Sequence, residues 1–388
     1  MSDKTLDTSD LDRWLGKRLD DSVSLEPVAA NDIRRWVQAM HYPNRLHYDR
    51  EYAAESRFAD MVAPQSFAIT TDDGHGVAPA CVGRIPNSHL LFGGDEWWFH
   101  GPVIKAGDRI HNERIPMDYV VKETGFAGPT CFQWGDNHYY NQDGDKIATQ
   151  RSTSIRYRPD LAREMQSLTV SDEPEWSDEQ LVELEDRKFA WIESLHDLGH
   201  GKRLWHSVAV GESLPVRVFG PHSVASFATE WRAYTMTLWC GMRRRQDGAL
   251  DDLGWTEEMD GYEQDPVMEK INPELTDGAY FGPSRGHLFT RHARHIGMPR
   301  AYGYGASMGS WVLDYLAGWA GEWGIVTHCN AQYRGPAFVG DITIMSAEIT
   351  DKSTDEEGRN IVKVKCLMTN QTGTTLATAK ASIALPAE

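Results

Sequence analysis

Two histidines each open a stretch of the same make. His287 begins HLFTRHARHIGMPRAYGYGASMG, which runs through Ala293 and Ile296, breaks at Gly297-Met298-Pro299 and ends in a glycine- and alanine-rich run. His47 begins HYDREYAAESRFADMVAPQSF, a weaker copy, and in both an alanine follows the histidine by six positions (Ala53, Ala293). An imidazole with its ordinary pKa of about 6.5 can take or give a proton near neutral pH, so His287 and His47 are the candidate acid–base groups. Other patterns carry less. His292 and His295 sit three apart on one helical segment, but a metal would need a third ligand of defined geometry, and the pair reads as a solvated helix face. The run Gly303-Tyr-Gly305-Ala-Ser-Met-Gly309 lacks the βαβ surroundings that a dinucleotide loop needs. The adjacent cations Arg243, Arg244 and Arg245 could meet phosphate groups or form a solvated loop, and Arg291, Arg294 and Arg300 lie nearer the second histidine.

The totals set outer limits. At 388 residues the chain has room for two or three domains. Hydrophobic residues make up 40% and charged residues 25%, an ordinary globular balance. A formal net charge of −18 argues against nucleic acid or an anionic membrane as a broad partner, while leaving a local cationic patch free to bind an anionic small ligand. The five cysteines (Cys81, Cys131, Cys240, Cys329, Cys366) are scattered and never in a CxxC pair, which fits reduced thiols in the cytoplasm. The acidic opening MSDKTLDTSDLDRWLGKRLDD has no apolar centre and does not read as a secretory signal. No stretch approaches the roughly 18 apolar residues of a membrane span.

The elements that must hold the histidines come in two sets. Asn31 is placed to cap a helix from Asp32 to about Met40, and a further helix covers about Arg50–Phe58. A short helix is expected near Leu11–Leu19. After Ser66 the texture turns β-rich, with strands over His89–Phe92, Glu96–His100, Arg109–Asp118, Thr130–Tyr140 and Lys146–Tyr157. Arg158 to about Lys202 is an acidic linker whose helix is capped at Ser177, a brace on the surface. The second half restarts at Trp205. It has a helix over about Ala225–Met236, an insertion at 241–279, a mostly buried helix over Ser310–Trp323, and strands over Thr327–Tyr333, Ile342–Thr350, Ile361–Thr369 and Leu376–Leu385.

Landmarks of the two halves recur in order. His287 follows His47 by 240 positions, Asp341 follows Asp108 by 233, and the turn at Asn370 follows that at Asn141 by 229. A period this long means two whole domains: 1–165, a linker at 166–204, and 205–388. Each half would wrap a curved antiparallel sheet round a helix, and two such sheets could join by their free edges.

These residues resemble the two-domain MaoC-like acyl-CoA dehydratases, the hydratase-2-like double hotdog proteins with a FAS1-like dehydratase domain at the N-terminus. The resemblance rests on Asn44-Arg-Leu-His47-Tyr-Asp49 with Val62-Ala63-Pro64, on GPVIKAGD and YNQDGDKIATQRSTSIRY, and on His287, Ala293, Gly297, Met298, Gly305 and YRGPAFVGD. It implies an α+β double hotdog and an enzyme that adds water to, or removes it from, an acyl-CoA thioester. Coenzyme A would arrive as part of the substrate, with no separate cofactor and no metal, and the protein would be a homodimer or larger. In the family a loop written Asp-x-Asn-Pro-x-His carries the chemistry, and a backbone N–H at the start of the buried helix polarises the thioester carbonyl. Mapped onto this chain, the first loop keeps Asn44 and His47 but has Tyr42 at the acid's place and Arg45 at proline's. Tyr42 reads as a core or lid tyrosine that could also donate a hydrogen bond. The second loop has Gly282 at the acid's place, Ser284 at asparagine's and Arg285 at proline's, before His287. Gly305 takes the place of the carbonyl polariser, and Arg243, Arg244, Arg291 and Arg300 are candidates for the phosphates.

Neither loop has its carboxylate. Asp277, Glu274 and Asp49 are the candidates to replace it, with Asp49 looking structural. The expected function is therefore a hydro-lyase interconverting 2-enoyl-CoA and 3-hydroxyacyl-CoA, with His287 as base. The first half would shape a tunnel for a bulky acyl group, with Trp97 and Trp98 lining it or filling its core. The alternatives are a non-catalytic acyl-thioester-binding subunit of a hetero-oligomer and an acyl-CoA thioesterase.

Overall fold

The computed structural model describes residues 5–19, 22–24, 26–71, 76–166, 168, 172–235 and 285–388. The insertion at 241–279, and with it Arg243, Arg244, Arg245, Glu274 and Asp277, lies outside these residues, as do Gly282 and Ser284.

Ten strands form one antiparallel sheet. In chain order they are β1 (Ser22–Val23), β2 (His89–Phe99), β3 (His111–Thr124), β4 (Gly128–Tyr140), β5 (Lys146–Tyr157), β6 (Arg217–Phe219), β7 (Ile325–Tyr333), β8 (Thr343–Thr354), β9 (Asn360–Thr369) and β10 (Thr375–Ala384). Across the sheet the order is β1-β3-β4-β5-β2-β7-β10-β9-β8-β6. The right half repeats the left half outward from the centre. The two meet where β2 pairs with β7, with Asp95 opposite Ala331 and Trp97 opposite Cys329. Each five-stranded half thus covers the free edge of the other.

Two strands expected separately, His89–Phe92 and Glu96–His100, are one. The Gly93-Gly94 pair that reads as a break is a bulge, where the register shifts between Phe92 and Gly94. The hairpins are built alike. Asn141 Oδ1 accepts the backbone N–H groups of Asp143 and Asp145, and Asn370 Oδ1 accepts those of Thr372 and Thr374. Gly144 and Gly373 supply the positive φ at the close of each turn.

The helices among the described residues are α1 (Ala30–Ala39), α2 (Arg50–Glu55), α3 (Pro159–Met165), α4 (Asp178–Leu198), α5 (Val224–Thr235), α6 (Thr290–His295) and α7 (Gly305–Ala320). In α7 every residue but Gly305 and Ala317 is buried, as a helix apolar all round must be. The place equivalent to α7 in the first repeat is held by 3-10 turns at Gln65–Thr71 and Ala78–Ala80. Thr70, Thr71, Gly76 and Pro79 there are poor helix formers. α4 starts with the expected capping box, Ser177 with Gln180. It lies on the surface and buries only Leu184 and Trp191.

Two helix expectations are corrected. Asn31 does not cap α1; the helix starts two residues earlier than expected, at Ala30, and the Asp32 carboxylate accepts the Ala29 N–H at 3.0 Å. Residues 11–16 form turns, with Gly16 at φ +70°, and Leu11 is buried beside Ile85 and Cys131. A residue that needs the left-handed region interrupts a helix. Among the described cysteines, Cys81, Cys131, Cys329 and Cys366 are buried free thiols. No helix among the described residues is long and apolar enough to cross a membrane.

Candidate active site

The segment from Arg285 to α7 forms a turn, a short helix, a sharp reversal and a long helix. The turn Arg285–His287 leads into α6, which ends where the Met298 N–H returns to the Ala293 carbonyl at 2.8 Å. Gly297 has φ +89°, and a Cβ on it would lie 2.7 Å from the Ala162 Cβ of α3. Both the backbone angle and the close approach require glycine there.

The reversal brings residue 302 back beside the histidine. His287 Nδ1 lies 2.6 Å from the Tyr302 carbonyl. A carbonyl only accepts, so Nδ1 carries the proton and Nε2 is left with its lone pair. The ring sits 4.5 Å from that of Tyr302 and 3.9 Å from that of Tyr304, centroid to centroid. Burial drives its pKa down to about 3, against a smaller upward pull from the Tyr302 hydrogen bond. The imidazole is therefore neutral at neutral pH.

Tyr304 is the N-cap of α7 and Gly305 its first residue. The first backbone N–H groups of a helix have no partner within it and carry the positive end of its dipole. Gly305 is seated on the other repeat, since a Cβ there would run into Cβ of Phe92 on β2. One turn on, a Cβ at Gly309 would meet the Asp95 carboxylate at 2.7 Å and the Tyr333 hydroxyl. The glycines therefore let the helix start approach β2 closely.

The first repeat builds the same corner. His47 Nδ1 lies 2.7 Å from the Val62 carbonyl, 15 residues on, as His287 does from Tyr302. Val62 bridges Lys105 as Tyr302 bridges Phe338. Burial lowers the His47 pKa to about 4. Asn44 Oδ1 accepts the Leu46 N–H, and its Nδ2 donates to the Tyr42 hydroxyl at 3.0 Å. Tyr42 is buried, with its ring 5.4 Å from that of His47. Burial and then the Asp314 charge raise its pKa, so it stays a hydroxyl. The structure thus gathers Tyr42, Asn44 and His47.

Other candidates fall elsewhere. Asp49 caps α2, accepting the Tyr52 N–H, and pairs with Arg45 at 2.8 Å, so it is structural as read. Arg300 is not a free phosphate hook: it is buried, bound to Asp341 at 3.1 Å and to the Val339 carbonyl at 2.8 Å. Arg291 is exposed, with Nε 3.2 Å from His292 Nε2. His292 is buried and only His295 is exposed, which corrects the solvated face expected for the pair. Trp97 stacks on Phe99 and Tyr139 in the core, while Trp98 is half-buried beside His328. An open depression of about 390 Å³, lined by Arg109, His111, Glu113 and Tyr140 among others, includes neither His47 nor His287.

One ionisable group near the second corner escaped the sequence reading. Glu230 of α5 is fully buried, and burial raises its pKa to about 8, with Ser307 of α7 pulling the other way. Its signal in the sequence is slight: an acid three residues after Phe227 and one before Trp231, on the apolar side of the helix.

Two repeats of a curved antiparallel sheet joined edge to edge, the second wrapped round the buried helix α7, give the double hotdog fold, as in MaoC-like dehydratases. One solved MaoC-like dehydratase aligns over 97% of this chain and 99% of its own, at 17% identity and a TM-score of 0.59. A conserved hypothetical protein from Mycobacterium tuberculosis, described as having a double hotdog fold, aligns over 97% and 98%, at 11% identity and a TM-score of 0.52. Residues 13–150 match the family model of the FAS1-like dehydratase domain region. The chain is also similar to a probable enoyl-CoA hydratase alpha subunit of Thermomonospora curvata, 29% identical over 165 residues. That match covers 38% of this chain and about half, 51%, of the relative.

Proposed function

We propose that the protein interconverts a 2-enoyl-CoA and a 3-hydroxyacyl-CoA. The observation that carries this is the tautomer of His287: its Nδ1 proton is committed to the Tyr302 carbonyl, so Nε2 is a proton acceptor beside the first turn of α7. In the hydration direction Nε2 takes a proton from water as the oxygen bonds to the β-carbon. The Gly305 N–H and its helix dipole stabilise the charge that develops on the thioester oxygen. Coenzyme A enters as part of the substrate, and the exposed Arg291 remains a candidate for its phosphates.

The first repeat serves mainly to shape the acyl site in this reading. Short turns at Gln65–Thr71 and Ala78–Ala80, in place of a second long helix, favour a bulky acyl group. His47 has the same tautomer but holds its corner together with Tyr42 and Asn44, and is assigned the lesser role.

The test is to incubate the purified protein with crotonyl-CoA and with longer and aromatic enoyl-CoAs, following enoyl absorbance and free thiol. Hydration removes the enoyl signal without releasing thiol. His287→Ala should lower kcat/KM by about 100-fold or more, the usual worth of a positioned acid–base group. His47→Ala should stay within about tenfold of wild type. Thiol release would replace this reading with thioester hydrolysis. Tight binding with no turnover would replace it with the non-catalytic role that the two missing loop carboxylates favour.

A further inference from the structure

Both loops lack the acid that their histidine would work with, yet a buried acid stands at the same helix start. We propose that Glu230 is the carboxylate that acts with His287 on the substrate, supplied from α5 instead of from the loop. This rests on the hydratase reading above.

Three contacts converge. α5 packs against the turn Arg285–His287. On the face of α5 that carries Glu230, the Phe227 ring sits so close to Gly303 that a Cβ there would lie 2.7 Å from it. Glu230 itself interacts with Ser307, the third residue of α7. His287 meets the residue that caps the same helix, its ring 3.9 Å from that of Tyr304. Carboxyl, imidazole and the positive end of the α7 dipole thus border one short segment, Tyr304–Ser307.

Glu230 is 0% exposed, and neither carboxylate oxygen has a well-formed hydrogen bond. A buried acid left in this way is rare in a structure, because it has lost water and gained little in return. A leucine or methionine would fill the same volume without that loss, so packing does not account for it. Among the described side chains on the elements packed against α5, Asp32 caps α1, Arg34 and Arg35 are exposed, and His287 is buried, while α7 carries the buried Asp314, which is bonded to Ser66. Burial keeps Glu230 protonated up to about pH 8 and His287 neutral, so the pair rests as an acid and a base.

The step balances without a further reactant. Water gives one proton to His287 Nε2 and its oxygen bonds to the β-carbon. The double-bond electrons move to the α-carbon and the thioester oxygen. Glu230 then gives its proton to the α-carbon, and the imidazolium returns a proton to the carboxylate through a second water. Dehydration runs the same path backwards.

The experiment compares wild type, Glu230→Gln, Glu230→Asp and His287→Ala on crotonyl-CoA, across pH 5 to 9.5, with the fold of each checked by thermal melting. Hydration needs the protonated acid, so the wild-type rate should fall above about pH 8. Glu230→Gln should cost about 100-fold or more in kcat, leave KM within a few-fold, and remove that high-pH fall. Glu230→Asp should keep the fall at reduced rate. If Glu230→Gln does not fold, the aspartate variant decides, and a wild-type rate from it overturns the proposal. So does a folded Glu230→Gln within tenfold of wild type that keeps the same high-pH limb. Wild type without any enoyl hydration defeats the hydratase reading itself. Activity lost in His287→Ala but kept in Glu230→Gln defeats only the role of Glu230.

Discussion

A methyl group at Gly305 has nowhere to go. The atom it meets is Cβ of Phe92, which no rotamer change can move. Gly305→Ala must therefore shift the start of α7 away from β2, and it should destabilise the protein by about 1–3 kcal/mol. Phe92→Ala should not relieve this, because alanine keeps the offending Cβ. Phe92→Gly should, so the penalty of Gly305→Ala, measured by urea denaturation, ought to shrink in that background alone. Equal penalties in all three backgrounds would show that the contact does not hold the helix start. His47, Asn44, Tyr42, His287 and Gly305 were legible in the sequence because each keeps a fixed distance along the chain from its partners. Glu230 was not, since it reaches α7 only through the packing of one helix on another. The same reason hid the fate of Arg300, whose partner Asp341 is 41 residues away.

Arg217 ties four elements together from the end of a three-residue strand. Its Nη1 donates to the Trp311 carbonyl of α7 at 3.0 Å, and its Nη2 to the Met40 and His41 carbonyls at the end of α1. The guanidinium lies over the rings of Trp191 on α4 and Phe219 on β6. A cation at the C-terminal end of α1 is favoured by the helix dipole. Burial lowers its pKa to about 10, so it remains charged at neutral pH. Arg217→Met keeps the stem but leaves these carbonyls unpaired and removes the buried charge near Asp314. A loss of about 3–5 kcal/mol is expected in chemical denaturation, as for breaking other buried charge contacts. Less than about 1 kcal/mol would mean that the carbonyls find water instead. Most strands and the capped helix α4 were readable, because alternation and capping boxes are local. The 3-10 turns in place of a first central helix were not, since only the contrast with α7 makes them notable. α1 starts two residues before its expected place because Asp32 reaches back as an acceptor, a role its neighbour Asn31 could equally have filled by composition.

The two repeats become one sheet at the β2–β7 seam, and the seam carries a buried acid. Asp95 accepts Tyr333 Oη from β7 at 2.6 Å and Gln150 Nε2 from β5 at 2.5 Å. Burial raises its pKa to about 7 despite both hydrogen bonds. The unfolded value is about 3.9, so the folded state binds this proton more tightly. Between about pH 4 and pH 7 the folded protein therefore holds more protons at this site than the unfolded chain. Its contribution is largest below that window, falls as pH rises through it, and reaches its floor above about pH 7. The whole span amounts to at most about 4 kcal/mol, for a shift of about three units. Asp314 and Glu230, also buried and raised, add slopes of the same sign, so only a difference isolates Asp95. Asp95→Asn keeps size and the bond from Tyr333 but turns an amide donor towards Gln150, whose own carbonyl already accepts from Asn137 and Tyr139. At pH 5 the variant should be less stable by about 1–3 kcal/mol, the worth of a buried donor left unmet. At pH 8 the wild type has lost its advantage, and the two should converge or cross. Urea denaturation of both proteins at pH 5, 6, 7 and 8 measures this. Parallel curves would mean that Asp95 is ionised throughout, and that the seam is held by the hydrogen bonds of a carboxylate.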